Sequence, residues 1–365
     1  MKDIVFWSLV QRIWGIKGNK ILANLMGALR GADFWDISPI QLQRDLAYIP
    51  QQMASLFLTE RKRVNIEYEY LKLNKHNVKI IGLNDSNYPK RLKNIFDPPP
   101  LLYVRGNFTE TNLAIAVVGA RKASAYGKKT ALRLTEDLSK NGVQIISGLA
   151  RGIDACSHQA ALEGTGGTIA VLGSGVDIVY PRENLRLFNE IINSEKSAVI
   201  SEFPLGTEPM KHYFPMRNRI ISGLADGILV IEAREKSGSL ITAEIGLEQG
   251  KDVFAVPGPI DNALYKGSHR LIKDGAKLID NVEDIFEEFG QLSLFKGEPI
   301  NSSDLDSAEK TIFAVLTSEP ITIEQIIIKS KLPTQEVLRL LSILEIRGYI
   351  KQVIGRKYIS LNWGD

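Results

Sequence analysis

A short segment in the middle of the chain, residues 211–219, interleaves cationic side chains with two aromatic rings. It reads KHYFPMRNR and comes immediately before an apolar helical pattern. Single-stranded nucleic acids are bound by cationic grooves that follow the phosphates and by aromatic faces on which bases stack. The segment therefore predicts such a site, with Phe214 as the stacking ring. Core packing of Phe214 is the alternative, and Arg217 and Arg219 lie too far apart on a helix for both to face one ligand, so at least one needs a structural partner.

Loops rich in small residues follow several apolar runs of the chain, and most of them add an arginine or a lysine. Glycines allow backbone amides to approach an anion, helix N-termini supply partial positive charge, and hydroxyls add donors. Several such loops on one sheet edge predict phosphate binding, because ligands of open α/β sheets bind outside the carboxyl ends of the strands. These loops are residues 119–121, 148–154, 173–182, 234–242 and 258–267.

The nucleotide-cofactor motifs are incomplete in this sequence. A G-x-G-x-x-G fingerprint fails at its second glycine after Gly119 and at its third, which is Ile178, after Gly173. A P-loop lysine motif is absent, and the chain has one cysteine, Cys156, and four scattered histidines. The sequence therefore predicts neither a cofactor nor a metal site.

Two carboxylates, Glu202 and Glu232, end apolar runs and could serve general acid–base chemistry. Carboxylates at such positions also orient arginines such as Arg217, which is the interpretation we favour. The alternative function is a nucleotide-processing enzyme, such as a phosphoribohydrolase or a deoxyribosyltransferase. The Pro-Gly-Gly-x-Gly-Thr loop typical of phosphoribohydrolases is not present at the comparable residues 236–242. His158, in the helix that follows the second loop, is expected to fix a loop.

The elements that must position these residues form an α/β pattern over residues 106–290. Continuously apolar runs alternate with helical patterns, as in strands that are covered on both faces. This alternation predicts a doubly wound parallel sheet with right-handed crossovers. The runs are AIAVVG, VQIISG, TIAVLG, AVISE, GILVIEA, DVFAVPG and AKLI.

Three further segments flank this block. Residues 1–105 are expected to be a small helical domain of the SAM or helix-hairpin-helix type. Its hairpin is either a DNA clamp or a packing unit, and Lys17, at a position where a clamp needs glycine, favours packing. Residues 291–307 are polar and predict a linker. Residues 308–365 show three short helices and two β-type runs, which indicate a winged-helix domain; hairpin cations such as Arg356 could contact a nucleic-acid backbone, but a protein-contact or architectural role is favoured.

Bulk composition adds few constraints on function. The chain has 365 residues, with 45 Lys+Arg against 42 Asp+Glu and a net charge of +3, so any nucleic-acid surface must be a local patch. The N-terminal residues MKDIVFWSLVQRIWG lack the features of a signal peptide, and no apolar stretch has the length of a membrane span. We therefore expect a cytoplasmic protein without a membrane partner.

The central block resembles the DNA-processing protein A (DprA/Smf) family in long, ordered stretches. They include VVGARKAS, SGLARGIDACSHQAAL, TIAVLGSGVDIVYPRENLRLF and GSHRLIKDGAKLI, and the whole of residues 200–258. The C-terminal block also resembles the winged-helix module of this family, whereas the N-terminal block resembles the family's helical domain weakly.

The resemblance implies a Rossmann-like protein without a catalytic step that binds single-stranded DNA regardless of sequence. It also implies a homodimer formed through the Rossmann-like domain and a role in loading the RecA recombinase during natural transformation. The site residues that it implies are Arg121, Gly148, Arg151, Gly152, Arg182, Asn184, Lys211, Phe214, Arg217, Asn218, Arg219, Ser237, Gly238, Ser239 and Thr242.

Overall fold

The computed structural model describes residues 2–290, 306–316, 321–346, 350–353 and 357–360. By its internal contacts the chain divides into two compact units, residues 1–280 and 281–365, which we treat separately. The predicted linker lies outside the described residues except for its last two positions, and so does Arg356 of the predicted hairpin.

The first unit combines α-helices and β-strands. Its helices are α1 (Lys2–Trp14), α2 (Asn19–Ala28), α3 (Gly31–Trp35), α4 (Pro39–Asp45), α5 (Gln51–Glu60), α6 (Ile66–Lys75), α7 (Lys90–Lys93), α8 (Ala125–Lys140), α9 (Ile153–Ala161), α10 (Leu185–Asn193), α11 (Tyr213–Gly223), α12 (Gly238–Glu248) and α13 (Lys266–Lys273). Its strands are β1 (Lys79–Gly82), β2 (Leu101–Gly106), β3 (Ala114–Val118), β4 (Gln144–Ser147), β5 (Thr168–Val171), β6 (Ala198–Ser201), β7 (Gly227–Val230), β8 (Asp252–Ala255) and β9 (Lys277–Leu278).

These strands form one sheet in the order β1-β2-β6-β5-β4-β3-β7-β8-β9. Strands β3 to β9 pair in parallel, and each comes from one of the seven predicted apolar runs, so the Rossmann-like parallel core is confirmed. The strand order reverses between β3 and β7, which is where open α/β sheets bind ligands.

Strand β2 extends this sheet antiparallel to β6, and β1 pairs antiparallel with β2; both fall within the block that was expected to be helical. Residues 101–104 are apolar and fully buried, so they fulfil the same rule that identified the other strands. The preceding Pro98–Pro100 run ends the helical region, because proline cannot continue a helix. The N-terminal block is therefore all-helical only as far as α6, after which β1, the short helix α7 and β2 follow.

The N-terminal helices share one hydrophobic core with the sheet. Aromatic rings of α1, α3 and α5 lie in this core, and Leu101 and Tyr103 of β2 join it. At the turn between α1 and α2, a Cβ atom on Gly18 would lie 2.7 Å from Cβ of Trp14. This close approach supports the packing interpretation of the hairpin.

A chain of buried hydrogen bonds also connects the N-terminal helices to the sheet. The Tyr103 hydroxyl donates to Gln11 (3.0 Å), and Gln11 donates to Asn19 (3.0 Å). Asn19 in turn donates to the carboxylate of Glu202, which follows β6 (3.3 Å). Because buried polar groups are costly unless they are hydrogen-bonded, this chain favours one specific docking of the helices.

The second unit contains α14 (Glu283–Glu288), α15 (Ser307–Val315), β10 (Ile321–Thr322), α16 (Ile323–Ser330), α17 (Thr334–Ile346), β11 (Ile350–Val353) and β12 (Lys357–Ser360). Strand β12 pairs antiparallel with both β10 and β11. Helices α15, α16 and α17 pack around a core that includes Ile312, Leu340 and Tyr358. Three helices against a small antiparallel sheet confirm the winged-helix fold. No helix among the described residues of either unit is long and apolar enough to cross a bilayer.

Candidate functional site

A cavity of about 670 Å³ opens at the carboxyl ends of the central strands, beside the first turns of α11 and α12. We call it the Phe214 cavity, after the ring that lies in its wall. Nine of the predicted site residues line it: Arg121, Lys211, Phe214, Arg217, Asn218, Ser237, Gly238, Ser239 and Thr242. The structure thus brings together predicted residues from three separate segments of the chain.

The Phe214 ring is partly exposed and is surrounded by cationic and aromatic groups. The Arg121 guanidinium carbon lies 5.4 Å from the ring centroid, and that of Arg217 lies 5.9 Å away. The Tyr180 ring is 5.8 Å from the same centroid, at an interplanar angle of 39°. A ring that borders a cavity, with two guanidinium groups close by, can offer its face to a flat ligand group.

The rim of the cavity carries several exposed cations. Their side chains are exposed, and none of them forms a salt bridge with another described residue. These cations are Arg121, Lys122, Lys211, Arg234 and Lys236. Unpaired cations around a cavity attract anions, and partial desolvation in the cavity strengthens that attraction.

The first turn of α12 supplies hydrogen-bond donors to the same cavity. Ser237 is the N-cap, and its hydroxyl oxygen lies 2.7 Å from that of Ser239. A Cβ atom on Gly238 would contact nothing within 4 Å, so the backbone there is open to the cavity. The amides at a helix N-terminus have no partner within the helix and carry partial positive charge, which suits an anion such as phosphate.

Arg217 has a structural role in the wall of the cavity. It is 4% exposed, and its guanidinium donates to the carbonyl oxygens of Gly148 (2.7 Å) and Val171 (2.5 Å). Burial lowers its pKa to about 10, while the neighbouring carboxylate of Asp154 acts in the opposite direction. Arg217 therefore joins the ends of β4 and β5 instead of pointing freely into the cavity.

The loop after β4 is held by internal acceptors. The amide of Gly148 donates to Asp154 (3.2 Å), and that of Leu149 donates to Nε2 of His158 (3.3 Å). Asn184 donates to the carbonyl oxygen of Leu149 (2.9 Å). Gly148 and Asn184, which were expected to contact a ligand, thus shape this loop from outside the cavity.

His158 is the element that fixes this loop, as the sequence predicted. Its Nδ1 lies 2.7 Å from the Thr168 hydroxyl, and the ring is fully buried. Burial, assisted by the nearby Arg217 cation, lowers the pKa of His158 to about 3. Only a neutral imidazole can accept the hydrogen bond from the Leu149 amide, so the fold requires the neutral form of His158.

Four more predicted site residues lie outside the Phe214 cavity. Arg151 pairs with Glu183, whereas Arg182 is exposed and forms no salt bridge with a described residue. Arg219 donates to the Asp97 carbonyl (2.6 Å) and pairs with Glu202 at 2.5 Å.

Gly152 has φ +78°, and a Cβ atom there would lie 2.3 Å from the Ala120 carbonyl oxygen, so glycine permits the loops after β3 and β4 to touch.

The two candidate acid–base carboxylates do not reach the cavity. Glu202 and Glu232 are both 0% exposed, and neither lines its wall. Glu202 pairs with Arg219, which confirms the prediction that such a carboxylate orients an arginine. The arginine named in that prediction, Arg217, is the wrong partner. Glu232 instead accepts hydrogen bonds from Ser124 (2.7 Å) and Tyr265 (3.0 Å).

Sequence reasoning missed several residues of the cavity wall. Tyr180, Arg234 and Lys236 belong to loops that were identified, and Lys122 directly follows one, but they were not selected as ligands. Their place between a strand and the next helix was the available signal, since these segments lie near the carboxyl edge of the sheet. Among the described residues there is no group of three or more histidine, cysteine, aspartate or glutamate side chains that could hold a metal ion.

Two family models match most of the chain. The model described as DNA recombination-mediator protein A covers residues 79–290, which include the whole Phe214 cavity. The DprA winged helix domain model covers residues 297–356. The first match begins at β1, in agreement with the place of β1 and β2 in the sheet.

Individual proteins show the same similarity. Protein Smf of Escherichia coli is 40% identical over 302 residues, which are 80% of each chain. The X-ray structure of DNA processing protein A from Streptococcus pneumoniae matches with a TM-score of 0.65 and 36% identity, over 78% of this chain and 97% of that one. DNA processing protein A from Helicobacter pylori, a structure described for its single-stranded DNA binding mode, matches with a TM-score of 0.53 and 29% identity, over 58% and 95%.

Proposed function

Given that this chain belongs to the DNA recombination-mediator protein A (DprA/Smf) family, we propose that it binds single-stranded DNA in the Phe214 cavity without sequence preference. Such a protein carries out no chemical step. The observation that carries the proposal is the Phe214 ring, which lies beside the Arg121 guanidinium within a rim of unpaired cations. Stacking platforms and cationic grooves together hold single strands, and a paired duplex cannot place a base on such a ring.

Each part of the cavity has a role in this proposal. Phe214 stacks one base, and stacking tolerates any sequence because every base has a π-face. Arg121 and Lys211 neutralise phosphates on the two sides of the ring. The first turn of α12, from Ser237 to Thr242, donates hydrogen bonds to a phosphate oxygen.

The buried carboxylates favour binding over nucleotide turnover. A general acid or base must come within hydrogen-bond reach of the reacting group. Glu202 and Glu232 are covered by protein, and their partners are Arg219, Ser124 and Tyr265. Both carboxylates therefore act as structural acceptors in this proposal.

The proposal is tested by fluorescence anisotropy of labelled oligonucleotides of several sequences, across a salt series and with duplex as competitor. We expect affinity to fall by about 0.7 log units per log unit of salt for each phosphate neutralised. Arg121→Glu should weaken binding to all sequences alike, because it inverts a charge at the rim. If the parent protein showed no preference for single strands over duplex, the proposal would be contradicted.

Arg44→Glu is the matched control for this experiment. The Arg44 side chain is 70% exposed, pairs with Asp45 at 2.6 Å and lies on α4, outside the cavity, so the same charge inversion is made away from the proposed site. It should leave affinity within two-fold of the parent, a margin that corresponds to about 0.4 kcal/mol. If Arg44→Glu weakened binding as much as Arg121→Glu, net charge rather than the cavity would explain the effect.

A recombination role follows from the family description as a recombination mediator. We propose that the chain forms a homodimer and passes its bound strand to a RecA-type recombinase during natural transformation. Light scattering after gel filtration should report twice the mass of one chain. RecA-catalysed ATP hydrolysis on strands coated with single-strand-binding protein should start with a shorter lag when the protein is added, and Arg121→Glu should not shorten it. An unchanged lag with the parent protein would contradict this role.

A further inference from the structure

A second aromatic ring stands exposed at the same edge of the sheet, outside the Phe214 cavity. Tyr126 lies in the first turn of α8, directly after the loop that carries Arg121 and Lys122, and it is 55% exposed. Single exposed apolar residues are common on protein surfaces. The surroundings of Tyr126 therefore decide whether it has a function.

The ring of Tyr126 rests on a rigid base. It meets the ring of Tyr265 edge to face, with centroids 6.1 Å apart and an interplanar angle of 72°. Tyr265 is 1% exposed, and its hydroxyl donates to Glu232 at 3.0 Å. A Cβ atom on Gly258 would lie 2.3 Å from the Tyr265 ring, so the loop after β8 closes tightly over it.

The same buried carboxylate fixes the helix turn that presents Tyr126. Glu232 accepts hydrogen bonds from the Ser124 amide (3.1 Å) and hydroxyl (2.7 Å), and the Ser124 hydroxyl oxygen accepts from the Gly127 amide (3.0 Å) as the N-cap of α8. A Cβ atom on Gly127 would lie 2.2 Å from the carboxylate of Glu232. The first turn of α8 and the Tyr265 side chain are thus both hydrogen-bonded to the Glu232 carboxylate.

The surface around Tyr126 is mainly cationic. Lys122 and Arg234 lie on the rim of the Phe214 cavity, on the adjacent loops after β3 and β7. Lys266 begins α13 next to that second loop, because the amide of Gly267 donates to the Ala233 carbonyl (2.9 Å). None of the three cations forms a salt bridge with a described residue, and the acids of these loops, Glu235 and Asp261, are exposed as well.

We propose that Tyr126 is a second stacking platform for the strand that occupies the Phe214 cavity. The strand leaves the cavity across Lys122 and Arg234, which bind its phosphates, and a later base stacks on Tyr126. The inference rests on the proposed function and extends its site along the sheet edge. A nucleic-acid occupant fits better than a protein one, since an isolated ring bordered by unpaired cations matches alternating bases and phosphates.

The test compares two oligonucleotides with the full-length protein, one of about 4 and one of about 16 nucleotides, the limits of typical single-strand site sizes. Tyr126→Ala should weaken binding of the longer strand by about five-fold or more, the effect of one lost stacking contact, and leave the shorter strand unchanged. Tyr126→Phe should bind like the parent. Tyr126→Leu, which keeps apolar packing on Tyr265 but has no π-face, should behave like the alanine variant.

Tyr48→Ala is the matched control, because Tyr48 is also 55% exposed and lies among the N-terminal helices. It should bind both strands like the parent. Equal affinity of Tyr126→Ala and the parent for the longer strand, while Phe214→Ala weakens both lengths, would overturn the Tyr126 platform and leave the proposed function intact. If Phe214→Ala had no effect on either length, the Phe214 site would fail instead.

A fluorescent base gives an independent readout. 2-Aminopurine is placed at successive positions of the longer strand, where stacking on a protein ring changes its emission. We expect two separated positions to respond in the parent, and only the outer one to lose its response in Tyr126→Ala. A response at one position alone in the parent would overturn the second platform.

Discussion

Arg217 and Arg121 both lie within 6 Å of the Phe214 ring centroid, yet their surroundings assign them different roles. Arg217 is buried and donates to two backbone carbonyls at the ends of β4 and β5. Arg121 is exposed, and the structure shows no salt bridge between it and any described residue. Arg217 therefore stabilises the fold, whereas Arg121 is available to a ligand.

Replacement of Arg217 by methionine should reduce stability more than it reduces binding. The change leaves the carbonyl oxygens of Gly148 and Val171 without this donor, and a buried unsatisfied acceptor costs about 1–3 kcal/mol. We expect Arg217→Met to lower the free energy of unfolding by roughly 2 kcal/mol in urea titrations. Arg121→Gln is the counterpart, with unchanged unfolding and weaker binding. Equal stability of Arg217→Met and the parent would contradict the structural role.

The resemblance to the family and the place of the loops after the strands were together sufficient to predict that Arg121, Lys211 and Phe214 share a site. They were not sufficient to separate a ligand-binding arginine from a structural one. Arg217 and Arg219 occur in one short segment, and the Gly148 and Asp97 carbonyls to which they donate are far away in sequence. Such pairings arise from the packing of α11 on the sheet, which local patterns do not encode.

At the scale of elements, His158 connects α9 to both β5 and the loop after β4. Its ring contacts the Thr168 hydroxyl on one side and the Leu149 amide on the other. Protonation would remove the acceptor and place a second cation beside Arg217. The loop that borders the cavity is therefore stable only while His158 is neutral.

This arrangement predicts a loss of stability in acid. The pKa of His158 is lowered from an ordinary 6.5 to about 3 in the folded chain, so below pH 6.5 the unfolded chain binds a proton that the folded chain does not. The contribution of His158 is fully present above pH 6.5 and is lost by about 1.4 kcal/mol per pH unit as the pH falls toward 3. Urea unfolding of His158→Gln between pH 7 and pH 4 should show a shallower dependence than the parent. Parallel curves would contradict this linkage.

The prediction of strands succeeded where a continuous apolar run was clear, and it failed at β1 and β2. Strands β3 to β9 come from continuous apolar runs bounded by glycine or polar residues, which is the pattern of strands covered on both faces. Strand β1 has only four residues, and β2 directly follows the proline run at residues 98–100. Strand β2 joins the sheet by pairing with β6, which brings together residues about 100 positions apart, and local patterns miss that long-range contact.

At the scale of the whole molecule, the N-terminal helices and the sheet belong to one compact unit. Their shared core contains rings from α1, α3 and α5 together with residues of β2. The buried hydrogen bonds from Tyr103 through Asn19 to Glu202 lead on to Arg219 of α11. The helix that carries Phe214 is thus connected to the N-terminal block through Glu202, whose pKa burial raises to about 7.

Two truncations test this unit. A chain that starts at residue 106, where the parallel sheet was expected to begin, lacks β1 and β2, and the edge of β6 and the apolar face under the N-terminal helices become exposed. Because exposed edges and large apolar patches promote aggregation, we expect this chain to be insoluble. A chain of residues 1–290 keeps the complete sheet and its covering helices, and should unfold cooperatively in urea and bind single strands like the full-length protein. A soluble, strand-binding 106–290 chain would show that the N-terminal helices are an independent domain.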